Sequence, residues 1–152
     1  MRTATVLEMF FDSNVLLFAF LDNDQSGEDA NELLRKVRDG HIKATISPLV
    51  LDEVMWGLKN AIGRELTDRV IDSFMAMPFV WLDISFGCIR HARARFRDGL
   101  DPRDAFHAAV MDHYGLAEIV SEDTHFTKVK GIHRQSIKET ISIASPTNGG
   151  PR

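Results

Sequence analysis

The sequence predicts one α/β domain built on a mainly parallel sheet of four to five strands. Three observations lead there. Short apolar runs of strand character alternate with longer helical segments along the chain, the pattern of strands joined by helical crossovers. The chain has 152 residues, 44% of them hydrophobic, and Leu, Ile, Val and Phe together supply 44, enough for a core that needs neither metal nor disulfide to hold it. No internal repeat or interdomain linker divides it.

Thr5 to Phe11 reads as a mostly apolar first strand, ended by Asp12-Ser13-Asn14, and the apolar run Val15 to Leu21 reads as a short helix. Ser26, with Asp29 three residues on, resembles a capping box and opens a helix that ends near Asp39, with Gly40 as its stop. His41 to Ile46 is the second strand. Ser47 as N-cap and Pro48 at the first helical position, where its missing N–H costs nothing, start a helix to Ala61 or Ile62, with Gly63 past its end. Arg64 to Met77 reads as helix, Phe79 to Ile84 as strand and Ser85 to about Arg97 as helix. Asp101-Pro102 starts a helix that runs to Tyr114 and stops at Gly115. Leu116 to Val120 is a fourth strand, and a last strand falls within His133 to Ile143. The tail Ser145 to Arg152 is polar and rich in Gly and Pro, so disorder is expected there and residues 1–144 form the domain.

Composition excludes several classes. The 22 acids exceed the 18 bases, a net charge of −4, which argues against nonspecific coating of nucleic acid but permits an enzyme that gathers acids around a cation. The single cysteine, Cys88, rules out an internal disulfide framework and any Cys-based zinc or iron–sulfur site. Val15 to Leu21, with seven residues, is the longest wholly apolar run, far below the ~20 a membrane span needs, and Met1 to Thr5 opens no signal peptide. A cytoplasmic protein without membrane contact is the expectation. No His-Glu-x-x-His, nucleophile-elbow, P-loop or dinucleotide glycine pattern occurs. Asp22 to Gly27 resembles the opening of an EF-hand loop but has Leu33 where the bidentate Glu belongs, so it reads as an acidic loop and helix cap. An aspartyl phosphatase would need a second Asp where Asn14 stands. Most of the histidines are expected at the surface or at helix ends, and Met55, Met75, Met77 and Met111 in the core.

Ligands bind an open parallel sheet outside the carboxyl ends of its strands, so acids just beyond strands carry the functional signal. Asp12 follows the first strand, Glu53 lies two turns into the helix after the second, Asp101 and Asp104 open the helix before the fourth, and Asp123 follows the fourth. Each alone has a structural alternative: Asp12 and Asp101 as helix caps, Asp104 as a charge at the positive end of a helix. Glu53 borders the apolar arc of Val50, Val54, Leu58 and Ala61, whereas Asp52 falls beside Lys59 on the solvent side. Gathered in one site, these carboxylates repel one another unless a cation neutralises them, and oxygen ligands select Mg²⁺ or Mn²⁺ over zinc. Such a centre can acidify a bound water and aim it at a phosphodiester, which is nuclease chemistry.

Phe11-Asp12-Ser13-Asn14-Val15-Leu16-Leu17, the lone Glu53, Asp101-Pro-Arg-Asp104-Ala105-Phe-His-Ala-Ala109 and Ser121-Glu-Asp123-Thr-His-Phe126 resemble, in order and spacing, the acidic motifs of PIN-domain ribonucleases. The resemblance runs from about Phe10 to Ile132. It implies a three-layer α/β/α sandwich, a PIN-like nuclease domain over residues 1–144, and a metal-dependent endoribonuclease that hydrolyses RNA phosphodiesters. It makes Asp12, Glu53, Asp104 and Asp123 the catalytic acids that hold Mg²⁺ or Mn²⁺, with Asp101 a fifth candidate ligand and Ser13 and Ser121 in supporting positions. Many small members of the family are VapC-like toxins held by an antitoxin, so the resemblance implies an RNA substrate, a homodimer and an antitoxin protein as partners. A noncatalytic binding module on the same fold and a housekeeping RNA-processing nuclease are the alternatives.

Two further features bear on partners. Arg90, Arg93 and Arg97 share a helix face, read as opposite Ile89 and Phe96, that either meets phosphates alongside Arg103 or is simply solvated. Phe18, Phe20 and Leu21, together with Phe74, Met75 and Met77, are either association patches or core.

Overall fold

The structure, a computed structural model, describes residues 5–145. Its organising fact is the burial of consecutive strand residues. Met9, Phe10 and Phe11 are each at most 2% exposed, and Ala44, Thr45 and Ile46 are fully buried. Neighbouring side chains on a strand point to opposite faces, so such runs fold only where both faces of a sheet are covered.

The sheet has five strands, β1 (Leu7–Phe11), β2 (Ile42–Ile46), β3 (Val80–Trp81), β4 (Glu118–Val120) and β5 (His133–Gln135), all parallel and in the order β3-β2-β1-β4-β5. Its cover comes from α1 (Ser13–Leu21), α2 (Gln25–Arg38), α3 (Pro48–Ile62), α4 (Arg64–Met75), α5 (Phe86–Arg97), α6 (Pro102–Tyr114) and α7 (Ile137–Ala144). α1 packs on α2 and α3, α3 on α4, and α2 on α7, while α5 and α6 form a close pair. The chain steps outward from β1 to β3, then returns past β1 to β4. Right-handed crossovers in those opposite directions set α5 and α6 on the other face from α1 to α4, which gives the expected three-layer α/β/α sandwich. No helix among the described residues is long and apolar enough to cross a membrane.

Local chemistry departs from expectation at several ends. Asp24 caps α2, accepting from the backbone N–H groups of Ser26 and Gly27, so the helix begins before the Ser26-to-Asp29 box. Ser47 precedes α3 without a side-chain cap bond, and its hydroxyl is buried with no partner, leaving Pro48 as the start signal. β3 is two residues long because only Thr45 and Ile46 of β2 pair with it, and both of its residues lie at an exposed edge. The last strand ends at Gln135, and α7 follows it. Ser136 and Glu139 cap that helix reciprocally, but Ile137, Thr140, Ile141 and Ile143 give the segment the β-branched composition of a strand. Of the tail Ser145 to Arg152, all but Ser145 lies outside the described residues.

Two expectations about side chains are also corrected. Met111 is core, but Met55 and Met75 are exposed, on the outer faces of α3 and α4. The two apolar patches are one: the Phe20 and Phe74 rings meet edge to face with centroids 4.8 Å apart, with Phe74 buried and Phe20 exposed.

Candidate metal centre

β1 and β4 lie side by side where the strand order reverses, and the chain leaves both at the same edge. Asp12, the first residue beyond β1, continues the ladder through its N–H to the Val120 carbonyl at 3.0 Å, so its backbone is fixed by the sheet. Its buried carboxylate is equally constrained. One oxygen accepts from the Ser13 N–H at 2.7 Å, and the other accepts from the Ser121 hydroxyl at 2.7 Å and the Asn14 amide at 3.2 Å. Ser121 Oγ also accepts from the Asp123 N–H at 3.0 Å, and Asn14 Oδ1 from the Glu122 N–H at 3.3 Å. The two strand ends are stitched together by side chains.

Glu53 arrives from α3, half-buried on the border of the apolar arc as its helical position predicts, while Asp52 is exposed. Its Oε2 accepts from the Ser13 hydroxyl at 2.7 Å, and its Oε1 lies 2.7 Å from His107 Nε2 on α6. His107 is 1% exposed. Asp12, Glu53 and His107 each present a ligand atom within 4.8 Å of the other two, and Asp104, Asp123 and His125 form a second such group. Asp104 and His107 are three apart on α6, hence on one helix face, which joins the two groups into one centre.

The charges are strongly coupled. Burial pushes the Asp12 carboxyl above the usual range, and its bonds to Ser121 and Ser13 and the nearby His107 only partly offset that. Asp104 is raised as well, by burial first and then by the charge of Asp123. Burial alone would raise Glu53, but the hydrogen bond and charge of His107, with help from Ser13, hold it below the usual range. Burial likewise resists a charged His107, yet the bond to Glu53 and the charges of Glu53, Asp12 and Asp104 hold its pKa above that of a free imidazole. The hydrogen bond and the surrounding charges thus favour the ion-paired form of buried His107 and half-buried Glu53, beside the Asp12 and Asp104 carboxyls that burial keeps from ionising freely. A divalent cation would stabilise the ionised forms of these crowded carboxyls, and the predominantly carboxylate donor set fits one.

The structure brings Asp12, Glu53, Asp104 and Asp123 to one place. Asp101 stands apart from both groups: it is the exposed N-cap residue of α6, makes no side-chain cap bond, and lines a depression of about 370 Å³ with Asp98, Asp104, His125 and Lys128. Sequence reasoning missed His107 and His125 as candidate ligands: His125 is exposed, as expected of most histidines, but His107 is buried. The signal for His107 was its place three residues after Asp104, on the face of α6 that meets α3. A corrected face on α5 matters as well. Cys88 and Ala92 are its buried residues, so Ile89 and Phe96 lie exposed beside Arg90, Arg93 and Arg97, not opposite them.

An acidic, cation-compatible centre at the switch point of a parallel α/β/α sheet defines the class. The family model of the PIN domain matches residues 9–132, and the chain belongs to that family. It is similar to ribonuclease VapC13 of Mycobacterium tuberculosis, 28% identical over 126 residues that cover 81% of this chain and 95% of the relative. Its fold is similar to that of DNA-bound VapBC from Salmonella typhimurium, with a TM-score of 0.67, 20% identity, and coverage of 86% of this chain and 98% of that one. It is also similar to VapC20 of Mycobacterium tuberculosis, described as a toxin that cleaves the sarcin-ricin loop, with a TM-score of 0.66, 15% identity, and coverage of 78% and 92%.

Proposed function

We propose that the protein is a VapC-like endoribonuclease that hydrolyses RNA phosphodiesters at a centre holding Mg²⁺ or Mn²⁺ through Asp12, Glu53, Asp104 and Asp123. The observation that carries this reading is the convergence of acids from the ends of β1 and β4 and from α3 and α6 into two adjoining groups of ligand atoms. When bound, the cation supplies charge neutralisation, a water of lowered pKa and stabilisation of charge on the phosphoryl oxygens.

The protein's own groups do the positioning. Ser13, Asn14 and Ser121 fix both oxygens of Asp12, and Ser13 and His107 fix both oxygens of Glu53. The hydroxyls of Ser13 and Ser121 donate to carboxylates and so orient the acids, and water, not a side chain, is the nucleophile of this reading. Asp104 and His125 face the open depression, where a phosphodiester can approach, and Asp101 stands on its rim. Relatives named as VapBC complexes support an antitoxin partner, and a basic side chain laid among these acids would occupy the cation's place. We also place the protein in the cytoplasm as a homodimer. Exposed Phe20, packed on Phe74 beside Met77, supports the self-association.

The deciding experiment is cleavage of RNA by purified protein with Mn²⁺, in excess chelator, and after Asp104→Asn. Cleavage by wild type with metal alone is expected. Full activity in chelator or in the variant overturns the mechanism. Growth arrest on expression, relieved by Asp12→Asn or by an antitoxin encoded beside it, separates the toxin from a housekeeping nuclease.

A further inference from the structure

We propose that the outer face of α5 is the track on which single-stranded RNA lies as it enters the centre. This rests on the nuclease reading above. α5 is locked by its inner face: Cys88 and Ala92 are buried, and Arg95 grips both oxygens of Asp112 on α6 at 2.7 and 2.8 Å and the Lys130 carbonyl at 2.7 Å. At 100° per residue, Phe86, Ile89, Arg90, Arg93, Phe96 and Arg97 then fall within one outward arc of about 120°. All six are exposed, Phe86 by 79% and Phe96 by 57%.

Charge selects the occupant. In a chain of net charge −4, three guanidinium groups stand on one face, and among the described residues no acid lies within ion-pair distance of them. A second copy docked symmetrically through this face would set the arginines against themselves. A polyanion meets no such opposition, and rings between guanidinium groups are what unpaired bases stack on while their phosphates are held. The stripe also leads to the chemistry. α5 ends at Arg97, and the next residues, Asp98 to Asp101, line the depression that contains Asp104. A site walled by carboxylates repels RNA, so flanking cations have to supply the attraction.

The test is fluorescence anisotropy of a labelled, mixed-sequence single-stranded RNA with the intact chain in excess chelator, where nothing is cut. Arg90→Glu, Arg93→Glu and Arg97→Glu together should abolish measurable binding. Each single-strand phosphate contact contributes about 0.7 to the slope of log affinity against log salt, so Arg93→Gln alone should lower it by roughly that amount. Phe86→Ala with Phe96→Ala should weaken binding about tenfold or more at an unchanged slope. Mn²⁺ binding should persist in every variant, which shows that the centre is intact. RNA affinity unchanged in the variants overturns the proposal, and so does a wild type that binds no RNA. Loss of a dimer in sedimentation with RNA affinity unchanged overturns it in favour of a second copy. If the variants behave as expected while wild type cuts no RNA with Mn²⁺, α5 stands as an RNA-binding face and the nuclease reading falls.

Discussion

Asp12 and Asp104 hold their protons more tightly than free carboxyls, and the sign of that shift makes a prediction. An acid whose folded pKa lies above its unfolded value penalises the folded state once pH exceeds the folded value, and the penalty vanishes below the unfolded one. The metal-free protein should therefore gain stability as pH falls through that window. Asp12→Asn should melt a few degrees above wild type at neutral pH in chelator, and the two melting curves should converge near about pH 4. Equal melting temperatures at pH 7 would contradict the burial penalty that the site imposes on the Asp12 carboxylate. The ion pair works in the other direction. Its stability is lost when pH falls through the lowered pKa of Glu53 or rises through the raised pKa of His107.

His107 is a positioning residue. His107→Ala should weaken Mn²⁺ binding by about 10 to 100-fold, and His107→Gln, whose amide can still donate to Glu53, should recover part of it. Isothermal titration of the three proteins reads this directly, and equal affinities would remove His107 from the centre. The four acids were legible in the sequence because each sits just beyond a strand, on a helix start or beside an apolar arc. His107 was not, because its role depends on how α6 is rotated against α3, which spacing within one helix does not fix.

At the level of elements, α5 and α7 expose what sequence reading handles well and badly. The α5 boundaries follow from Ser85 and Asp98, but its buried face is chosen by the Arg95 to Asp112 pairing across the hairpin with α6. Arg95→Ala should cost about 1–2 kcal/mol in urea unfolding by leaving Asp112 and the Lys130 carbonyl without their donor. For α7 the capping signal and the composition disagreed, and the cap decided. Ser136→Ala should remove about 1 kcal/mol and fray this helix first, visible as faster amide exchange over Ile137–Ala144. β1, β2 and β4 were legible as short apolar runs, and their residues are largely buried. Their ends were not, because the pairing of β3 stops where β2 stops.

For the whole molecule, ligand linkage gives the cleanest measurement. Mn²⁺ at about 100 times its dissociation constant should stabilise the fold by about 2.7 kcal/mol, seen as a higher melting temperature that chelator reverses. No shift would favour a binding module in which the acids serve as caps. Sedimentation at tens of micromolar should show a dimer, and a monomer would leave the centre untouched while removing self-association. The α/β/α class was legible because alternation of element types is a property of the whole chain. The partners were not, because exposed Phe20, Met75 and Phe86 look like core residues until the packing around them is known.

The hydrogen bonds that set the centre join residues far apart in the chain. Ser121 holds Asp12 across 109 positions, His107 meets Glu53 across 54, and Ser13 reaches Glu53 across 40. A chain leaving the ribosome makes Asp12 first and must wait for β4 before that carboxylate has its partners. Up to then the acids are separate side chains on an unfinished sheet. An RNA-cutting centre with this connectivity has no working partial form, so it stays silent until β4 has emerged and joined β1.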